Sequence, residues 1–257
     1  MRPGGLLLDL DGTIYQGQTL VPGALDVLLL LKDAGIPFRF ITNATRMTKK
    51  KLVIMLGDMG LAVLPDDIFA APHAAAVYCQ NKNYKKILLL VPDKDMEEDF
   101  SGFQLVTRNP DAIILGDMGS KFTFKLMNAL FNLLLDGVEL VAMHKNRFWR
   151  SSNGYTLDIG AFVSALEYAS GISASIMGKP NVGLFALASQ GWNLPANKIL
   201  MVGDDIEGDV GGAANAGMKS ALVKTGKFQV DALRKSKIKP NHIIDSIADL
   251  PSILDLS

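Results

Sequence analysis

Short apolar runs alternate along this chain with longer stretches whose apolar positions recur every three or four residues. The runs at 6–8, 38–41, 86–91, 112–115, 139–143, 174–177, 199–202 and 221–223 predict strands, with shorter ones at 68–71 and 243–244. The periodic stretches predict helices. Leu25, Leu28 and Leu29 share one face after Pro22, and Gly35 closes that helix. Leu52, Met55, Leu56 and Met59 form a stripe, in which the methionines read as core filling. Further helices are expected at 74–80, 122–135 and 161–169, around Leu184, Leu187 and Ala188, and at the end around Ile247, Leu250 and Ile253.

A strand, a helix and a strand open the chain, which is a βαβ unit and predicts a parallel sheet. The middle of the chain breaks the alternation of that sheet. The expected architecture is α/β: a Rossmann-like parallel-sheet core from residues 1–82 plus 174–257, and an inserted α/β domain at 83–173. Insertions that cover the catalytic end of a sheet often act as lids.

Charge and composition narrow the function. Lys plus Arg and Asp plus Glu number 26 each, which gives no electrostatic case for nucleic acid or an anionic membrane surface. The run 49–51 of three lysines reads as a solvated face. One cysteine, Cys79, excludes an intrachain disulfide and suits a reducing compartment. Apolar runs such as 87–91 and 133–135 are far shorter than the roughly 20 residues of a spanning helix. No signal peptide is visible, and the expectation is a soluble cytoplasmic protein.

The chemistry gathers at the ends of strands. The first strand ends in Asp9-Leu10-Asp11-Gly12-Thr13. Side chains alternate along a strand, so Asp9 and Asp11 share a face, and Gly12 lets the backbone turn away. Two acids there repel each other unless a cation arrives, and Mg²⁺ with oxygen ligands answers that need. The plainer alternative is an ordinary strand followed by an Asp-Gly turn. The second strand ends in Thr42-Asn43, and ligands of parallel sheets bind outside the carboxyl ends of the strands. A hydroxyl and an amide there can hold phosphate oxygens, while Thr45 can cap the next helix. Lys179 follows the strand expected at 174–177 and suits a phosphate. Another apolar strand ends in Gly203-Asp204-Asp205-Ile206-Glu207-Gly208-Asp209, whose spacing does not match an EF-hand loop. His73 and His242 are expected on surface loops.

In this order, Asp9-x-Asp11-Gly12-Thr13, Thr42-Asn43, Lys179 and Gly203-Asp204-Asp205 with Asp209 resemble the haloacid dehalogenase-like superfamily of phosphohydrolases. The resemblance spans nearly the whole chain, and the insertion is placed as in members with a C2-type cap. Members sharing the segments 157–160, 165–169 and 208–213 tend to carry Ser where this chain has Asp11. Asp11 makes the chain more like the general phosphatases of the superfamily.

The resemblance implies that Asp9 attacks phosphorus to form an aspartyl-phosphate, and that Asp11 passes a proton to the leaving oxygen and then activates water. Such a carrier needs a raised pKa at Asp11. It places Mg²⁺ on Asp9, the Asp11 backbone carbonyl and Asp204, with Asp209 orienting these ligands and Asp205 reaching the ion through water. Thr42, Asn43 and Lys179 hold the phosphoryl oxygens. The inserted domain chooses the substrate, with His144, Lys145, Arg147 and Trp149 as candidates; the alternative makes them a polar sheet edge with one packed aromatic. Small phosphomonoesters, pyrophosphate or phosphoamidates are the implied substrates, and a homodimer through the inserted domain is implied as well. A phosphotransferase or phosphomutase on the same core, and a signalling receiver phosphorylated on Asp, are the competing functions.

Overall fold

The computed structural model describes residues 3–151 and 154–256. They form two compact units, one from residues 3–42, 49–69 and 179–256 and the other from 43–48, 70–151 and 154–178.

The first unit is built on a six-stranded sheet. Its order is His242–Ile244, Lys219–Val223, Ile199–Gly203, Gly5–Asp9, Phe38–Thr42 and Ile68–Ala70. Gly5–Asp9 lies at the centre, buried at every position, and pairs in parallel with Ile199–Gly203 and Phe38–Thr42. Central parallel strands are covered on both faces, so they read as unbroken apolar runs rather than alternating ones. Leu6, Leu7 and Leu8 have no exposed surface. Each buried side chain of this size contributes about 1.5–3 kcal/mol.

Register decides what the sheet presents. Leu8 pairs with Val202 and Asp9 with Ile41. The residues that follow, Thr42 on one side and Asp204 on the other, therefore leave the same carboxyl edge as Asp9. The helix Ala24–Asp33 follows the first strand and buries Ala24, Val27, Leu28 and Leu31. Lys49–Asp58 buries Leu52 and Leu56.

The second unit has a five-stranded sheet, ordered Ser175–Ile176, Glu139–Ala142, Ala112–Leu115, Lys86–Leu90 and Gln104–Leu105, all parallel. Phe124–Leu135 and Ile159–Ser170 supply its helical core, where Leu130, Leu134, Val163 and Leu166 meet Ile113, Leu115 and Leu140. Both helices start on side-chain caps: the Thr123 hydroxyl accepts from Leu126 N–H, and Asp158 accepts from Ile159 N–H. A two-stranded antiparallel hairpin, Phe148–Ser151 with Gly154–Leu157, belongs to the same unit.

Several expectations change. Residues 174–177 do not resume the first sheet. Ser175–Ile176 pairs with Val141–Ala142, and Ala174 and Ile176 pack on the apolar core of the second unit. An apolar run shows that a strand is buried but not which sheet buries it. The helix expected at 74–80 spans Ala71–Asn81 and also belongs to the second unit, with His73 half-buried on it rather than on a loop. His242 lies exposed on the edge strand. Thr45 does not cap the following helix, which starts four residues later; its hydroxyl lies 3.4 Å from His144 Nε2.

Candidate active site

The site is at the carboxyl edge of the first sheet. Asp9 ends its strand almost completely buried. Thr13 donates its hydroxyl to Asp9 Oδ2 at 3.3 Å, and the Lys179 ammonium forms a very short ion pair with Asp9 Oδ1. The same ammonium lies 2.6 Å from Asp209 Oδ1 and 3.5 Å from the Ile41 carbonyl oxygen. Asp209 Oδ1 has no well-directed hydrogen bond, so the ion pair is its compensation. Thr42 is buried at the end of the neighbouring strand.

Asp204 follows Ile199–Gly203 directly, and Asp209 sits in the short π-helix Ile206–Gly211 that comes next. Both are buried. Asp209 Oδ2 accepts from the Asp205 N–H at 3.0 Å, and Asp205 Oδ1 accepts from the N–H groups of Glu207 and Gly208. Asp205 thus caps this helix, and Asp209 within it holds the Asp205 backbone in return. Gly203 makes this possible: a Cβ there would lie 2.1 Å from Asp209 Oδ2. Oxygen atoms of Asp9, Asp204 and Asp209 come within 4.8 Å of one another.

The electrostatics follow from this crowding. Burial, then Asp9 and Asp209, push the Asp204 carboxyl well above the usual carboxylate range. Burial also raises Asp209, although Lys179 pulls it down. Burial works to lower Lys179, but Asp209 and Asp9 more than offset it and hold the ammonium protonated. Asp11 keeps a solvent-facing edge, yet the protein packed around it desolvates its carboxyl, and with Asp9 raises it. The buried Tyr15 phenol is raised by burial, then by Asp11 and Asp9. Three buried carboxylates thus face one buried ammonium, an excess of negative charge that suits a hard divalent cation.

The sequence-expected residues divide between the units. Asp9, Asp11, Thr42, Lys179, Asp204, Asp205 and Asp209 lie in the first. Asp11 is not one of the three carboxylates that converge; as a metal ligand it was expected to use its backbone carbonyl, and as a proton carrier its carboxyl. Asn43 falls in the second unit, where a Cβ on Gly178 would come within 2.5 Å of its side-chain oxygen. His144 is buried there; its Nδ1 accepts from Asn146 N–H, and its Nε2 lies 3.8 Å from Asp158. Lys145 is paired with Glu167, and the Arg147 guanidinium lies 5.8 Å from the Phe148 ring centroid. The Trp149 side chain lies outside the described residues.

Sequence reasoning gave no role to Thr13 or to residues 225–227. The Thr225 hydroxyl donates to the Gly12 carbonyl, and the Lys227 N–H donates to Asp204 Oδ2 at 2.6 Å. The usable signal was positional, because Thr225-Gly226-Lys227 follows Lys219–Val223 at the same sheet edge.

A family model described as haloacid dehalogenase-like hydrolase matches residues 6–104, and a HAD-hydrolase-like model matches 176–250. Human haloacid dehalogenase-like hydrolase domain-containing protein 2 is 38% identical over 235 residues, covering 91% of this chain and 88% of the relative. The chain belongs to the haloacid dehalogenase-like hydrolase family. Human phospholysine phosphohistidine inorganic pyrophosphate phosphatase is 32% identical to this hydrolase over 256 residues, 97% of the chain and 93% of the relative. The solved 4-nitrophenylphosphatase of Thermotoga maritima has a TM-score of 0.90 and 28% identity, covering 98% of this hydrolase and 97% of that chain. The fold is thus the Rossmann-like core with a cap domain, and the enzyme is a phosphatase of this family. No helix among the described residues is long and apolar enough to cross a membrane.

Proposed function

We propose that this enzyme is a Mg²⁺-dependent phosphatase that hydrolyses small phosphorylated compounds through an aspartyl-phosphate on Asp9. The observation that carries this reading is the convergence of Asp9, Asp204 and Asp209 oxygens within 4.8 Å, beside the Lys179 ammonium. Asp9 and Asp204 would hold the ion with the Asp11 backbone carbonyl, and Asp209 would orient them. When bound, the ion supplies charge neutralisation for the carboxylates and the phosphoryl oxygens.

The chain's own residues supply the rest. An Asp9 carboxylate oxygen attacks phosphorus while the bond to the leaving oxygen breaks. Thr13 orients Asp9 through its hydroxyl. The Asp11 carboxyl gives its proton to the leaving oxygen, and the raised pKa of Asp11 keeps that proton available. Water then attacks the phosphorus of the aspartyl-phosphate and loses a proton to Asp11, which frees the Asp9 carboxylate and inorganic phosphate. Lys179 and Thr42 hold the phosphoryl oxygens, where charge shifts in the transition state. The substrate class follows the named relative that acts on phospholysine, phosphohistidine and pyrophosphate and the neighbour that acts on 4-nitrophenyl phosphate.

Phosphate release from p-nitrophenyl phosphate tests this reading, with Mg²⁺, with EDTA, and with Asp9→Asn. Release that needs both Mg²⁺ and Asp9 is expected. Metal-independent turnover, or turnover by a clean Asp9→Asn preparation, overturns it. Transfer of the phosphoryl group to an added alcohol in place of release points to a phosphotransferase.

A further inference from the structure

The reaction above leaves the loop Thr225-Gly226-Lys227, at this same sheet edge, without a task. Three features tie it to the acids. The Lys227 N–H donates to Asp204 Oδ2 at 2.6 Å. The Thr225 hydroxyl donates to the Gly12 carbonyl, within the turn that carries Asp11. Gly226 sits against both partners: a Cβ there would lie 1.9 Å from Asp204 Oδ2 and 2.6 Å from Gly12 Cα. Gly12 is the reciprocal half, because its own Cβ would lie 2.0 Å from Asp204 Oδ2 and 2.9 Å from Gly226 Cα. Both glycines have positive φ, +93° and +60°, a region where side chains are strained. The backbone therefore reaches a buried carboxylate from two sides.

A carboxylate has two oxygens and a rotatable bond. An N–H fixed on Oδ2 stops that rotation, and the close approach of Gly12 and Gly226 closes the space into which Oδ2 could swing. Partners that orient a ligand without touching the ion commonly govern metal affinity.

We propose that the Thr225-Gly226-Lys227 loop is a positioning element that presets Asp204 for the divalent cation. It occupies one carboxylate oxygen and leaves the other to the ion, while Thr225 holds the Asp11–Gly12 turn in register with it. This rests on the cation reading of the preceding subsection.

The test measures cation binding itself, with Mn²⁺ as the probe and the unbound ion followed by its electron paramagnetic resonance signal. Thr225→Val and Thr225→Ala are both expected to weaken Mn²⁺ binding about tenfold or more, the range seen when orienting partners of metal ligands are lost. Thr225→Ser keeps the hydroxyl and is expected to bind like the parent. Melting temperatures taken in EDTA separate affinity from folding. Two Thr225 variants are read so that the failure of one to fold leaves the other decisive. A folded variant lacking the hydroxyl that binds Mn²⁺ as tightly as the parent overturns the proposal, as does lowered melting with unchanged binding. A parent protein that binds no Mn²⁺ overturns the cation reading itself and this proposal with it; normal parent binding with indifferent Thr225 variants overturns this proposal alone.

Discussion

Lys179 Nζ lies 2.6 Å from Oδ1 of Asp209, and neither side chain has appreciable exposure. Lys179 keeps Asp9 as a partner when Asp209 is removed, so the loss falls on the Asp205 N–H left without its acceptor, typically about 1–3 kcal/mol. Asp209→Ala is therefore expected to lower the midpoint of urea denaturation. Asp209→Asn should cost less, because the amide keeps the shape and an acceptor for the Asp205 N–H. Lys179→Met is expected to destabilise less than Asp209→Ala, since the displaced acids can take up protons. Equal losses from all three variants would argue against this ranking.

Asp11 gives a sharper test of proton transfer. Its carboxyl is raised above the ordinary value by burial first and by Asp9 second. A group acting as the acid works while it holds its proton, so kcat/KM is expected to fall as pH rises through its folded pKa. Asp11→Asn should lose about 10²–10⁴-fold in rate, the usual worth of general acid–base catalysis, and should lose that basic limb as well. A variant that keeps the parent pH profile would exclude Asp11 as the proton carrier.

Ligand linkage predicts how the cation affects stability. The proposed cation would offset the excess of buried carboxylates over buried ammonium at Asp9, Asp204, Asp209 and Lys179. Mg²⁺ at 100 times its dissociation constant should add about 2.7 kcal/mol, visible as a rise in melting temperature that EDTA reverses. Asp204→Asn should abolish most of the rise. A melting temperature indifferent to Mg²⁺ would contradict the assignment of these acids.

The second unit carries its own acid-sensitive element at Glu139. The hydroxyls of Tyr78 and Ser175 donate to Oε1 at 2.6 and 2.5 Å, and Tyr84 donates to Oε2. Partial burial works to raise this carboxyl, but the hydroxyls outweigh it and hold it below its ordinary 4.5. The unfolded chain thus binds the proton more readily than the folded one. The stabilisation is complete above about pH 4.5 and is lost as pH falls through the folded value. Glu139→Gln should flatten the acid limb of a stability–pH curve, and an unchanged limb would show that the hydroxyl cluster does not control it.

Much of this was legible in the sequence for identifiable reasons. The strand at 112–115 was readable to the residue because a buried parallel strand is an uninterrupted apolar run. The helix expected at 122–135 begins at Phe124 because Thr123 caps it, a detail below the resolution of periodicity. The acids at strand ends were readable because a parallel sheet brings every carboxyl end to one edge. Residues 174–177 failed because apolarity carries no address, and Ser175–Ile176 joined the other sheet. The short strand Gln104–Leu105 escaped because it is exposed and has no apolar signature. Contacts such as Thr225 with Gly12 depend on where two distant turns meet in space, which no local pattern encodes.

The mutual contact of Gly12 and Gly226 has a practical consequence for anyone diversifying this enzyme. The two turns are more than two hundred residues apart in the chain, yet each fills the space that the other's side chain would need. Libraries that randomise one turn while freezing the other will return mostly inactive clones. Libraries that vary 11–13 and 225–227 jointly give compensating pairs a chance to appear, and the pairs recovered would map how far the two turns can shift together.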